Sequence, residues 1–177
     1  GGITLNGGQL TFSADASLTQ AITLGAGGGT LNPSGVSGGD RTFGATGNIG
    51  VTGTGNRVLT ISGSGDNRRS ILQSNIIDPS FGSTSIVIGM GGDTGRVFRM
   101  SGTNTYTGTT TLNRGVLDFT AVTQFSGGIT SAATVGNLIF AATGTTRAIL
   151  QSSVATPVNF TRNLGYGSGQ IHWEGNG

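Results

Sequence analysis

Apolar and polar residues alternate along this chain in short runs, and nowhere do the apolar positions take up the three- and four-residue spacing of a helix. A five-residue pattern, glycine-x-apolar-x-apolar, organises them. It occurs as Gly8-Gln9-Leu10-Thr11-Phe12, Gly115-Val116-Leu117-Asp118-Phe119, Gly136-Asn137-Leu138-Ile139-Phe140 and Gly169-Gln170-Ile171-His172-Trp173, with looser copies at 57–61, 96–100 and 156–160. The copies at 96, 115, 136 and 156 start 19, 21 and 20 residues apart, the step from 57 to 96 is 39, and the last step narrows to 13. Strands are expected at 3–5, 9–12, 18–24, 49–52, 57–62, 70–77 and 85–90. Glycine-rich corners are expected at 25–29, 35–40, 53–55 and 63–67, a turn at Asn32-Pro33 and an irregular corner at 122–131.

The period of about 20 suits a solenoid, in which each turn carries two or three short strands. In a strand, residues two apart share a face. Leu10, Leu59, Leu117 and Leu138, with Phe12, Ile61, Phe119 and Phe140, are therefore expected to form two inward-stacked ladders. Such a unit cannot bury its apolar face alone and needs a similar one stacked on it. The same alternation could also build an antiparallel β-sandwich, the alternative fold.

The densest stretch runs from Gly102 to Phe119. Thr103, Thr105, Thr107, Thr109 and Thr111 share one face of its first half, Leu117 and Phe119 one face of its second, and Val116 and Asp118 the other. Gly102, Gly108 and Gly115 fall where the backbone is expected to turn through dihedrals costly to a Cβ. Gly102, Asn104, Thr105, Tyr106, Gly108, Thr110, Leu112, Gly115 and Leu117 resemble the autotransporter-associated β-strand repeat of bacterial surface proteins, with Thr109 standing where many copies have glycine. The match covers about a tenth of the chain. Residues 160–177, with Phe160, Arg162 and Trp173, resemble a segment that follows such repeats in very large bacterial surface proteins. The resemblance implies an all-β, right-handed parallel β-helix, an extracellular or outer-surface location, and no catalytic residues.

Composition narrows the classes. The 177 residues include 35 glycines, 3 prolines and no cysteine, so collagen, disulfide scaffolds and thiolate metal sites are excluded. Nine arginines against seven acids give a net charge of +2, and only Arg68 and Arg69 are adjacent, so a nucleic-acid surface is not expected. No apolar run reaches membrane-spanning length. The chain opens on Gly1-Gly2 and stops inside a pattern, so residues 1–177 are expected to be a single solenoid segment of a longer protein.

No constellation of residues points to catalysis. His172, the only histidine, reads as an outward-facing strand residue without an orienting partner. A polysaccharide-degrading β-helix would need several carboxylates together with arginines. The candidates are Asp40, Asp66, Asp78, Asp93 and Asp118 with Arg57, Arg96 and Arg114, and Arg57 and Arg96 align only if their offset spans two turns. Asp66 and Asp93 lie too far apart for a calcium-binding repeat and read as turn residues. An ice-binding plane would need threonines on adjacent turns, whereas these five lie along one segment. The expectation is a structural or adhesive stalk or filament segment, not an enzyme, with no catalytic, cofactor-binding or metal residues and no cofactor. The alternative is a carbohydrate-binding or polysaccharide-degrading β-helix. Expected partners are neighbouring repeats of the same polypeptide or end-to-end copies covering the unpaired first and last strands, with surface polysaccharide as a further candidate.

Overall fold

The computed structural model describes the chain except for residues 13–16, 35–39, 64–68, 92–95, 126, 131–132 and 176–177. The expected corners at 35–40 and 63–67, and Asp66, Arg68 and Asp93, fall wholly or largely outside the described residues. In chain order the strands are β1 (Ile3–Leu5) and β2 (Gln9–Phe12), then β3 (Ile22–Leu24), β4 (Gly29–Pro33) and β5 (Arg41–Phe43). Next come β6 (Gly50–Val51), β7 (Arg57–Gly63), β8 (Arg69–Leu72), β9 (Thr84–Met90) and β10 (Val97–Met100). The series ends with β11 (Thr110–Phe119), β12 (Leu138–Phe140), β13 (Ala148–Ser152) and β14 (Ile171–Trp173). The only described helical element is a three-residue 3₁₀ turn at Val122–Gln124, inside the corner expected to be irregular. Among the described residues no helix is long and apolar enough to cross a membrane.

Every described ladder is parallel. One strip runs β1-β3-β6, a second β2-β4-β7-β9-β11-β12-β14, and a third β5-β8-β10-β11-β13, the last two being joined through β11 into one curled sheet. The antiparallel sandwich is therefore set aside. The first half of β11 pairs with β9 and β12 and its second half with β10 and β13. The register shifts between Leu112 and Arg114, where the strand turns the corner.

The uniform spacing of about 20 does not hold as a rung length. Ile3 pairs with Ile22 and Val97 with Val116, each 19 positions on, but Gly29 pairs with Leu59, 30 on, and Leu138 with Ile171, 33 on. The five-residue pattern recurs on two strips: the copies at 8–12, 57–61, 136–140 and 169–173 supply the second, those at 96–100 and 115–119 the third, and 156–160 forms no strand. Steps such as 115 to 136 thus cross between strips.

The core ladders are reassigned accordingly. Leu10 aligns with Leu31, and Leu31 continues through Ile61, Ile88, Leu112 and Phe140 to Trp173. Leu117 and Phe119 belong instead to the third strip, opposite Phe98 and Met100. Leu31, Ile61, Ile88, Leu112 and Leu117 are fully buried, whereas Leu10 and Phe12 are only partly so.

Three local outcomes depart from expectation. Residues 29–33 form a strand where a corner ending in a turn was expected. Pro33 is tolerated because Thr30 and Ser34 donate to β2, which leaves the intervening position facing β7, and the β4–β7 ladder stops at Leu31. The run at 70–77 breaks after Leu72, although Ile76 stays in the core. The outer edge of β14 is covered at Ile171, whose N–H donates to Asn163 O at 2.9 Å and whose carbonyl accepts from Gly165 N at 3.0 Å.

Polar side chains bind one rung to the next at the corners, where backbone donors would otherwise be left over. Asn6 Oδ1 accepts from Gly27 N at 2.8 Å, Asn56 Oδ1 from Ser83 N at 3.0 Å, Asn75 Oδ1 from Thr103 N at 2.9 Å, and Asn104 Oδ1 from Ile76 N at 2.7 Å.

Candidate functional site

Of the carboxylates proposed from sequence, the three described ones, Asp40, Asp78 and Asp118, do not converge. Asp40 meets Arg69 at 2.8 Å on an exposed surface. Asp78 is a corner clamp, with Oδ1 accepting from Thr84 N at 2.6 Å and Oδ2 from Thr107 N at 2.9 Å and Thr107 Oγ1 at 2.6 Å. Asp118 occupies the expected outward position of β11 but is completely buried, held by Arg99 from the paired position of β10. Among the described residues no three His, Cys, Asp or Glu side chains group together.

Arg57 and Arg96 do not align, since Arg57 opens β7 on the second strip and Arg96 precedes β10 on the third. Both are buried. Arg57 Nη1 donates to the Leu24 and Thr52 carbonyls at 2.7 and 2.9 Å, and Nη2 to the Gly53 carbonyl at 3.0 Å. Both terminal nitrogens are spent on structure, while the buried Nε has no hydrogen-bond partner among the described residues. Arg162 acts in the same way, from Nε to Gly128 O at 2.7 Å and from Nη1 to Gly136 O at 2.5 Å. Burial lowers its pKa from the ordinary value, with the charge of Tyr106 acting in the opposite sense.

His172 lies opposite Ile139, on the outward face as expected, yet it is buried. The Tyr166 ring lies 4.9 Å from the imidazole, and Asn137 Nδ2 lies 3.3 Å from His172 Nε2. A loop folded over it accounts for the burial.

One arrangement has free chemistry. At the β12–β14 end of the molecule a recess of about 370 Å³ is lined by Phe140, Ala142, Thr145, Arg147, Ile149 and Trp173, among others, and among the described residues Arg147 is its only charged one. Trp173 stacks on Phe140 with ring centroids 5.0 Å apart and an 18° interplanar angle, yet remains 56% exposed. It is the last position of the inward ladder among the described residues. Arg147 and Arg114 immediately precede the paired residues Ala148 and Gly115, and Gly115 N donates to the Arg147 carbonyl at 2.8 Å. Their side chains therefore start from neighbouring rungs. Among the described residues neither guanidinium has an ion-pair or hydrogen-bond partner. Arg114 was a sequence candidate. Arg147 and Trp173 were not, because only the fold brings residues 140–149 to residue 173.

No protein-family model, curated protein or solved structure matches the chain.

Proposed function

We propose that the curled sheet continues into a right-handed parallel β-helix, and that the chain is a structural or adhesive stalk or filament segment of a secreted or cell-surface bacterial protein, with no catalysis of its own. The handedness and location rest on the resemblance to the autotransporter-associated repeat. The observation carrying the reading is that the residues bearing this resemblance have structural work to do. Asn104 ties Ile76 to its own rung, and its Nδ2 donates to Gln124 O at 2.9 Å. Tyr106 is buried and its hydroxyl lies 2.6 Å from Thr110 Oγ1. Leu112 and Leu117 fill the core, and Gly115 turns the corner with φ of 94°.

The partners in this reading are neighbouring repeats of the same polypeptide or end-to-end copies. Solution scattering and surface labelling of the source cells test it together. A rod-shaped particle and labelling of intact cells are expected. A globular envelope, or labelling only after lysis, overturns it.

Of the two alternatives, carbohydrate binding has an observation behind it, the recess beside Trp173. Polysaccharide cleavage has none, since Asp40, Asp78 and Asp118 are each engaged separately.

A further inference from the structure

We propose that the outward face of the second strip binds ice, through a row of uncharged, β-branched side chains that the register stacks one per rung. This goes beyond the stalk reading, which gives that face no role, and does not rest on it. Backbone pairing places Thr30, Thr60, Val87, Thr111 and Ile139 side by side in unbroken succession. Of the alternating threonines at 103–111 only Thr111 belongs to the row, while Thr30 and Thr60 reach it from other rungs. All five alternate with buried residues and are themselves partly exposed. Thr60, Val87 and Thr111 have a paired strand on either side, so their exposure owes nothing to the first or last rung.

The chemistry of the row selects the ligand. The hydroxyls of Thr30, Thr60 and Thr111 have no hydrogen-bond partner among the described residues, whereas those of Thr84, Thr107 and Thr110 are engaged by the protein. They are left for water, at multiples of the rung spacing of about 4.8 Å. β-Branched side chains occupy few rotamers, so hydroxyls and methyls are ordered before a partner arrives and little freedom is lost on binding. The methyls restrict the waters beside them without bonding them. The outward positions of β2, β4, β7, β9 and β12 carry no charge, since Arg57 is buried and Arg114 stands past the register shift of β11. A charge would keep its own hydration shell, which docking on solid water would have to strip.

Two other occupants fit less well. The seven strands of the strip and three residues of strand width give a face of roughly 400 Å², half of the ~800 Å² that each partner buries in a stable dimer. None of these outward positions is aromatic, so a neutral polysaccharide finds no ring to stack on.

The test is nanolitre osmometry of the 177-residue chain, reading thermal hysteresis and the shape of growing ice crystals. Faceted crystals and a hysteresis gap are expected for the wild type. Thr60→Tyr and Thr111→Tyr should each remove most of the gap, at positions where a strand accepts tyrosine, with melting curves recorded alongside. Thr60→Ser combined with Thr111→Ser, a change too small to unfold the sheet, should narrow it by removing two methyls. Gln151→Tyr, at an exposed strand position on the third strip, should leave it unchanged. Round ice discs with no gap in the wild type, or a wild-type gap in both tyrosine variants, overturn the proposal. So does a sedimenting dimer, or retention on insoluble cellulose, that Thr60→Tyr abolishes while ice growth is unaffected by either protein. None of these outcomes bears on the rod shape that tests the stalk reading.

Discussion

Arg99 and Asp118 face each other from directly paired positions on β10 and β11, with Arg99 Nε donating to Asp118 Oδ2 at 2.6 Å. The carboxylate is fully buried, the Arg99 side chain is 16% exposed, and Asp118 Oδ1 has no hydrogen-bond partner among the described residues. A charge sits on the side of the sheet that strand alternation assigns to solvent, covered by the side chain that neutralises it.

Asp118→Asn should therefore be costly, contrary to what an exposed amide swap would do. Loss of the charge leaves the Arg99 guanidinium mostly buried without its partner, and a loss of roughly 2–4 kcal/mol in urea unfolding is expected. Replacing both residues by Arg99→Met and Asp118→Leu should recover most of it, because the desolvation of two charges is then avoided. An unchanged midpoint for Asp118→Asn would show that the pair contributes nothing.

Leu117→Asp and Phe119→Asp should still exceed Asp118→Asn in damage. Leu117 is fully buried and Phe119 is 2% exposed against the edge-on ring of Phe125, 4.9 Å away. An unpartnered carboxylate in either place costs several kcal/mol, enough to unfold a marginally stable chain. Circular dichroism melts retaining the wild-type transition would refute the inward assignment.

Two glycines with similar backbone angles separate strain from crowding. Gly115 has φ of 94° and a Cβ there would lie 2.8 Å from Met90 Cβ, whereas Gly47 has φ of 100° and open space around it. Gly47→Ala should cost about 1 kcal/mol from the backbone alone, and Gly115→Ala roughly 2–3 kcal/mol. Equal melting shifts would mean that Met90 yields without cost.

Arg57→Met should orphan the carbonyls of Thr52 and Gly53 and leave the Leu24 carbonyl with only the Thr52 N–H, at 3.1 Å. A loss of roughly 2–4 kcal/mol is expected, with Arg57→Lys intermediate because one ammonium cannot reach all three as a planar fork does. Denaturant titration of the two variants checks the order, and a lysine variant as stable as wild type would refute the clamp.

What the sequence made legible was the face, not the neighbour. Period-two alternation told which side of Leu59, Ile61, Leu138 and Phe140 points inward, and all four are buried. It could not tell that Leu10 aligns with Leu31 rather than Leu59, since the length of each connection is set by corners whose composition constrains it only loosely. Gly102 and Gly115 were recognisable as corners and both have positive φ. Gly108 does not; it is small because a Cβ would strike the Thr84 carbonyl oxygen, a contact between rungs that local sequence cannot display. Burial of Asp118 and His172 was hidden for the same reason: each depends on a side chain or loop brought over it from elsewhere. The recess was hidden because it joins Arg147 to Trp173, 26 positions away in the chain.

The unequal rungs bear on how the chain assembles. Each new ladder closes a loop of 19 to 33 residues, and chain statistics make the longer closure only about 0.5 kcal/mol dearer than the shorter. No rung is entropically privileged, so the order of formation follows strand length and apolar content. The seven-residue β7 and β9 and the ten-residue β11 then form the natural nucleus, with growth outward in both directions by addition onto an existing edge.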